Sequence, residues 1–187
     1  MGDVGRETGM GCMKKSGKRM RHGSCQPRHL SVLVPAYIGT ALAQVPTRLS
    51  PVARKNFTLY RITDWKKVIT WLQPHLRPCL ILALSGPLGA GKTTFVQHLA
   101  KQLGITKAPQ SPTFSLLRTY RLPQPVNDIS RLVHVDAYRI DDEKDLLPLD
   151  LDTELRDGKT VMVIEWPERI PLWIRRHQAI LLRIQTR

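Results

Sequence analysis

The stretch GPLGAGKTT at residues 86–94 restricts what this chain can fold into more than any other feature of it. The pattern G-x-x-x-x-G-K-S/T is met by Gly86, Gly91, Lys92 and Thr93, with Leu88, Gly89 and Ala90 inside it. Glycines at this spacing let successive backbone N–H groups turn inward around an anion. A helix that starts there aims its positive end at the same point. Lys92 is then placed to reach the β- and γ-phosphates of a nucleoside triphosphate. Thr93 can offer its hydroxyl to Mg²⁺, a hard cation that prefers oxygen, and Thr94 can bond the α-phosphate side.

Such a loop works only between a buried strand and a helix, and both flanks comply. Residues 80–84 are a continuous apolar run of strand length, as a central parallel strand requires. Downstream, Phe95, Leu99 and Leu103 recur at helical spacing, and Gly104 stands where a helix C-cap belongs.

The formal net charge of +14 over 187 residues suggests a nucleic-acid binder until it is divided along the chain. Residues 1–55 hold ten Lys or Arg against Asp3 and Glu7, while residues 56–187 hold nineteen against thirteen acids. The surplus is thus concentrated in an N-terminal extension, and charge alone does not establish RNA binding. That extension reads as a disordered tail, with a secretory signal and an organelle transit peptide as competing readings. The expected organisation is therefore a basic extension at 1–55 and one phosphate-loop domain at 56–187. Cys12, Cys25 and Cys79 form no C-x-x-C pair, and Cys12, His22, Cys25 and His29 match no zinc spacing. No apolar run reaches membrane-spanning length, so a soluble, cytoplasmic protein is expected.

From residue 57 a short strand-like segment leads to a helix capped by Thr63 or Asp64, with Trp65, Val68, Ile69 and Leu72 as its apolar stripe. After the loop helix, residues 116–122 and 132–140 read as an antiparallel hairpin, the first strand ending at Pro123. Residues 141–155 are acidic and leucine-bearing, fitting one or two short helices. Strands follow at 161–164 and 179–184. The whole predicts an α/β fold of three layers around a mixed central sheet.

Two acids end strands, Asp136 and Glu165, and phosphoryl chemistry needs a carboxylate for the metal and a group that orients the nucleophile. Residues 161–164 are apolar on both faces, whereas His134 interrupts the other strand. Glu165 is accordingly assigned to the metal shell with Thr93, and Asp136 to water positioning or an outer-shell contact; the reverse assignment stays open. Thr113, in the loop after the first long helix, is a candidate switch threonine sensing the γ-phosphate.

GPLGAGKTTF, SPTFSLL with Tyr120, HVDAYRI and EWPERI occur in that order and closely resemble the TsaE family, over roughly residues 57–184. The resemblance implies a P-loop ATPase that uses ATP and Mg²⁺ and acts with the TsaB and TsaD proteins, and through them with tRNA, in threonylcarbamoyladenosine modification of tRNAs reading ANN codons. By motif it assigns Lys92, Thr113, Asp136 and Glu165 to catalysis and places Trp166 next to the nucleotide. Pro87 departs from the acidic residue usual after the first glycine. A small-molecule kinase is the competing class, but it needs a basic lid, and Arg175-Arg176 is the only late basic pair. A GTPase is disfavoured, since no N-K-x-D occurs.

Overall fold

The computed structural model describes residues 30–34, 55–112 and 114–186. Among these, seven strands form one sheet in the order β2-β1-β7-β3-β6-β5-β4. In chain order they are β1 (Leu30–Val34), β2 (Lys55–Leu59), β3 (Ile81–Ser85), β4 (Leu117–Val126), β5 (Ile129–Asp136), β6 (Thr160–Glu165) and β7 (Ala179–Thr186). The four central strands β7, β3, β6 and β5 run parallel. An antiparallel partner closes them at each side, β4 on β5 and β1 on β7, with β2 antiparallel to β1 at the rim. The mixed sheet expected from the sequence is the observed one.

Helices cover both faces. α1 (Trp65–Leu72) and α2 (Lys92–Gln102) lie on one, where Trp65, Val68, Phe95 and Leu99 meet Leu82, Leu84, Val161, Val163 and Leu182. α3 (Leu151–Arg156) and α4 (Pro171–Arg175) lie on the other, where Leu151, Leu155, Trp173 and Ile174 meet Ile81, Ala83, Met162 and Ile164. The strict alternation along β3 and β6 is why both runs are apolar throughout: each residue faces a helix, whichever way it points. Trp65 and Phe95 pack edge to face at 5.4 Å between ring centroids and tie α1 to α2.

α2 ends as its sequence indicates. Gly104 takes φ +83°, its N–H bonds the Lys101 carbonyl at 3.1 Å, and the Ile105 N–H bonds that of Ala100 at 2.9 Å. That pair satisfies carbonyls the helix would otherwise leave open. A 3-10 turn at Glu143–Leu149 and α3 fill the acidic region expected to be one or two short helices.

Three expectations are corrected. The hairpin is longer at its turn: β4 continues through Pro123 and Pro125, and Asn127 and Asp128, both at positive φ, make the two-residue loop. Proline is tolerated there because β4 is an edge strand and its register shifts between Arg121 and Val126. β5 in turn starts at Ile129 and stops at Asp136 instead of running to Ile140. Asp64 does not cap α1 through its side chain; its carboxylate reaches back to the N–H groups of Tyr60 and Arg61 at 2.9 and 3.0 Å. Finally, Leu30–Val34, assigned by sequence to the extension, is an inner strand of the sheet. The other readings of residues 1–55, including the Cys12, His22, Cys25 and His29 set, lie outside the described residues.

Candidate nucleotide site

β3 delivers the chain to the loop at the C-terminal edge of the parallel strands, where open α/β sheets take their ligands. Gly86 is the tightest point. It sits at φ +155°, and a Cβ there would lie 2.5 Å from the Ile184 carbonyl oxygen of β7. Gly89 and Gly91 also take positive φ, +75° and +90°, and with Gly91 as its N-cap α2 begins directly at Lys92. Leu88, Gly89, Ala90, Gly91 and the first turn of α2 with Lys92, Thr93 and Thr94 make one wall of a cavity of about 340 Å³.

Ser111, Asp136, Tyr138, Glu165 and Trp166 make the opposite wall. They arrive together for a reason of register. Asp136 pairs with Glu165, and Leu84 with Glu165, so the ends of β5, β6 and β3 are level. Residues 132, 134 and 136 share one face of β5, and 161, 163 and 165 share the same face of β6. That face is the one α2 covers, so both acids point toward the start of α2.

The contacts are close. The Thr93 hydroxyl donates to Glu165 Oε1 at 2.9 Å, and the His134 ring nitrogen Nε2 meets the same oxygen at 2.9 Å. Asp136 is held otherwise: Oδ2 accepts from the Ser111 hydroxyl at 2.7 Å and Oδ1 from the Tyr138 N–H at 3.1 Å. Lys92, only 5 % exposed, donates Nζ to the carbonyls of Gly86 and Pro87 at 2.7 and 2.9 Å. Its ammonium also lies 3.6 Å from the Trp166 ring centroid. Burial pulls the Lys92 pKa below the ordinary lysine value, while Glu165, Glu168 and Asp136 push it back up.

Trp166 takes φ +61°, a left-handed conformation that costs a bulky residue about 1–3 kcal/mol. The bend is fixed by its N–H bond to the Leu84 carbonyl at 3.1 Å and by Tyr138, whose ring is 5.1 Å away. Thr94 lines a second, larger cavity of about 820 Å³ with Ile62, Gln97, His98 and Ile105. The two spaces adjoin at that residue.

The sequence-assigned residues Lys92, Thr93, Asp136, Glu165 and Trp166 are thus brought together, while Thr113 lies outside the described residues. Ser111, Tyr138 and His134 were not singled out. Ser111 and Tyr138 flank residues that were, and the even spacing of His134 and Asp136 was a readable signal that both face α2. The donor set suits the groups in question. A hydroxyl and a carboxylate group side by side offer the oxygens Mg²⁺ takes, and an ammonium whose hydrogen bonds go to neutral carbonyls would gain from a phosphate oxygen.

The family model described as "Threonylcarbamoyl adenosine biosynthesis protein TsaE" matches residues 59–187. The chain is 40 % identical over 94 residues to the tRNA threonylcarbamoyladenosine biosynthesis protein TsaE of Bacillus subtilis, covering 50 % of this chain and 54 % of that protein. It is 40 % identical over 117 residues to the protein of that name in Mycobacterium tuberculosis, covering 59 % and 67 %. With that of Aquifex aeolicus it shares 38 % over 117 residues, covering 62 % and 78 %. The match thus spans about half the length of the Bacillus relative. On the family match over most of its length, and with the four ordered motifs folded around one cavity, this chain belongs to the TsaE family.

Proposed function

We propose that this chain binds ATP with Mg²⁺ and hydrolyses it in support of threonylcarbamoyladenosine formation on tRNAs reading ANN codons, acting with TsaB and TsaD proteins in the cytoplasm. The observation that carries the reading is the contact of Thr93 with Glu165 at 2.9 Å, directly beside Lys92 at the head of α2. A hydroxyl and a carboxylate from distant parts of the chain meet where a triphosphate would lodge. Mg²⁺, when bound, supplies charge neutralisation between the phosphates, and Thr93 and Glu165 are the residues that would hold it.

The remaining residues have separable tasks. Lys92 provides the positive charge against the phosphates, and the low-dielectric setting produced by its burial strengthens that attraction. Asp136, fixed by Ser111 and the Tyr138 N–H, is oriented to accept a proton from or align an attacking water. Thr113 remains the proposed sensor of the γ-phosphate. Trp166 and Tyr138 form an aromatic wall that limits solvent at the reacting end. The larger cavity past Thr94 leaves room for the nucleoside.

Reconstitution tests the role: ATP hydrolysis and tRNA threonylcarbamoylation are measured with purified TsaB and TsaD, with and without this chain. Slow hydrolysis alone, changed by the partners and tRNA, is the expected result. Normal multiple turnover of the modification in its absence would refute the assignment. Glu165→Ala should lower Mg²⁺-dependent turnover more than Mg²⁺-free nucleotide binding; full activity in that variant would move the metal role to Asp136.

A further inference from the structure

His134 is fully buried, on a strand whose neighbours Leu132, Val133 and Val135 are apolar. A valine in its place would supply the same burial without desolvating an imidazole. What the histidine adds is one N–H at a fixed point. Its Nε2 lies 2.9 Å from Glu165 Oε1, and its Nδ1 has no partner among the described residues.

A carboxylate is an acceptor only, so the proton between the two groups sits on Nε2. Thr93 donates to the same Oε1 at 2.9 Å, so one carboxylate oxygen is held from two sides, by a strand through His134 and by α2 through Thr93. Oε1 has two lone pairs and both are then used, which leaves the other carboxylate oxygen, Oε2, for a cation.

We infer that His134 is a positioning residue for the magnesium shell: its Nε2–H fixes the Glu165 carboxylate in the orientation that Thr93 also requires, so that the oxygen pair is preassembled before metal arrives. The inference rests on the reading of Glu165 as a shell residue given above. Thr93 keeps its hydroxyl proton on Glu165 while its oxygen lone pairs stay available to a cation. His134 therefore holds Glu165 in place without competing for the ion. Removal of such outer-shell support lowers metal affinity by about 10- to 100-fold in comparable sites.

The test uses the full chain with a non-hydrolysable ATP analogue and Mn²⁺ in place of Mg²⁺, bound Mn²⁺ being followed by electron paramagnetic resonance. Nucleotide binding in EDTA is read separately from tryptophan fluorescence. His134→Leu should leave the EDTA affinity within about twofold and weaken Mn²⁺ binding at least about tenfold. His134→Gln, which restores an N–H donor, should recover most of that loss.

Unchanged Mn²⁺ affinity in His134→Leu overturns the inference. So does an equal loss of EDTA and Mn²⁺ binding in both variants, which would mark a merely structural role. Independent of any variant, the long-range ¹⁵N–¹H spectrum of the wild-type imidazole should show the His134 proton on Nε2 with and without the metal–nucleotide pair; a proton on Nδ1 overturns the inference. If the wild-type chain binds neither analogue nor Mn²⁺, the nucleotide reading itself falls and takes this inference with it.

Discussion

At the scale of single residues, the site is held together by groups that satisfy one another before any ligand is present. Lys92 is the main example. Its ammonium sits on two carbonyls and an aromatic face, all neutral acceptors, in a setting where burial disfavours its charge. A phosphate replaces these with a full negative charge, and hydrogen bonds between charged partners are worth about 1.5–3 kcal/mol each. Lys92→Ala should thus weaken nucleotide binding by roughly 10- to 100-fold, measured by tryptophan fluorescence titration, because Trp166 lies against the lost ammonium. Gly86 makes the second case. Its Cα faces the Ile184 carbonyl so closely that Gly86→Ala forces backbone apart in a region of φ that alanine rarely adopts. The expected cost is about 1–3 kcal/mol, read as a lowered melting temperature, with nucleotide affinity falling alongside. By contrast a Cβ at Gly89 meets nothing within 4 Å.

At the scale of elements, legibility followed burial. β3, β6 and α2 were readable because a loop, a run apolar on both faces and a glycine stop agree with one another. Asn127 and Asp128 fall inside the turn-rich stretch read at 123–130, but that turn was drawn too wide because Pro123 looked like a strand end; an edge position removes the penalty that made it look so. His134 was read as an interruption of a strand for a similar reason, as sequence polarity does not reveal a partner on the next strand. Glu165 is the strand-end acid in contact with Thr93, yet its hydrogen bond to His134 was invisible without the β5–β6 register. α1 offers a test at this scale. Asp64 accepts from the Lys67 side chain and then from the Tyr60 and Arg61 N–H groups, and these hold its carboxyl pKa at about 2, below the ordinary 3.8. A folded value below the unfolded one gives stabilisation that is complete above the unfolded value and disappears as pH falls through the folded one. Thermal melts should then show wild type above Asp64→Asn at pH 6, with the gap closing between pH 4 and about 2. A constant gap across that range would mean that the ionised carboxylate is not what fastens the turn.

At the scale of the whole molecule, the strand that the sequence hid is linked to the loop that the sequence displayed. β1 stands between β2 and β7, and it pairs Val32 with Ile184, the residue whose carbonyl closes on Gly86. The path from the outer edge of the sheet to the phosphate loop is therefore two steps long. A chain beginning at residue 55 would keep every residue of the candidate site but leave β7 with an open edge and β2 without the neighbour it bonds. The lost ladder bonds are partly offset by the five residues no longer ordered, for a net loss of about 2 kcal/mol and a melting temperature lower by roughly 4–8 °C. Hydrogen exchange should quicken at Lys55–Leu59 and at the end of β7, which both lose a partner. Nucleotide affinity should drop as well, by less than in Gly86→Ala, because the wall behind Gly86 is loosened and not displaced. If the shortened chain melts at the same temperature with unchanged exchange at Lys55–Leu59, β1 contributes nothing to the fold, and the coupling from the sheet edge to the loop does not exist.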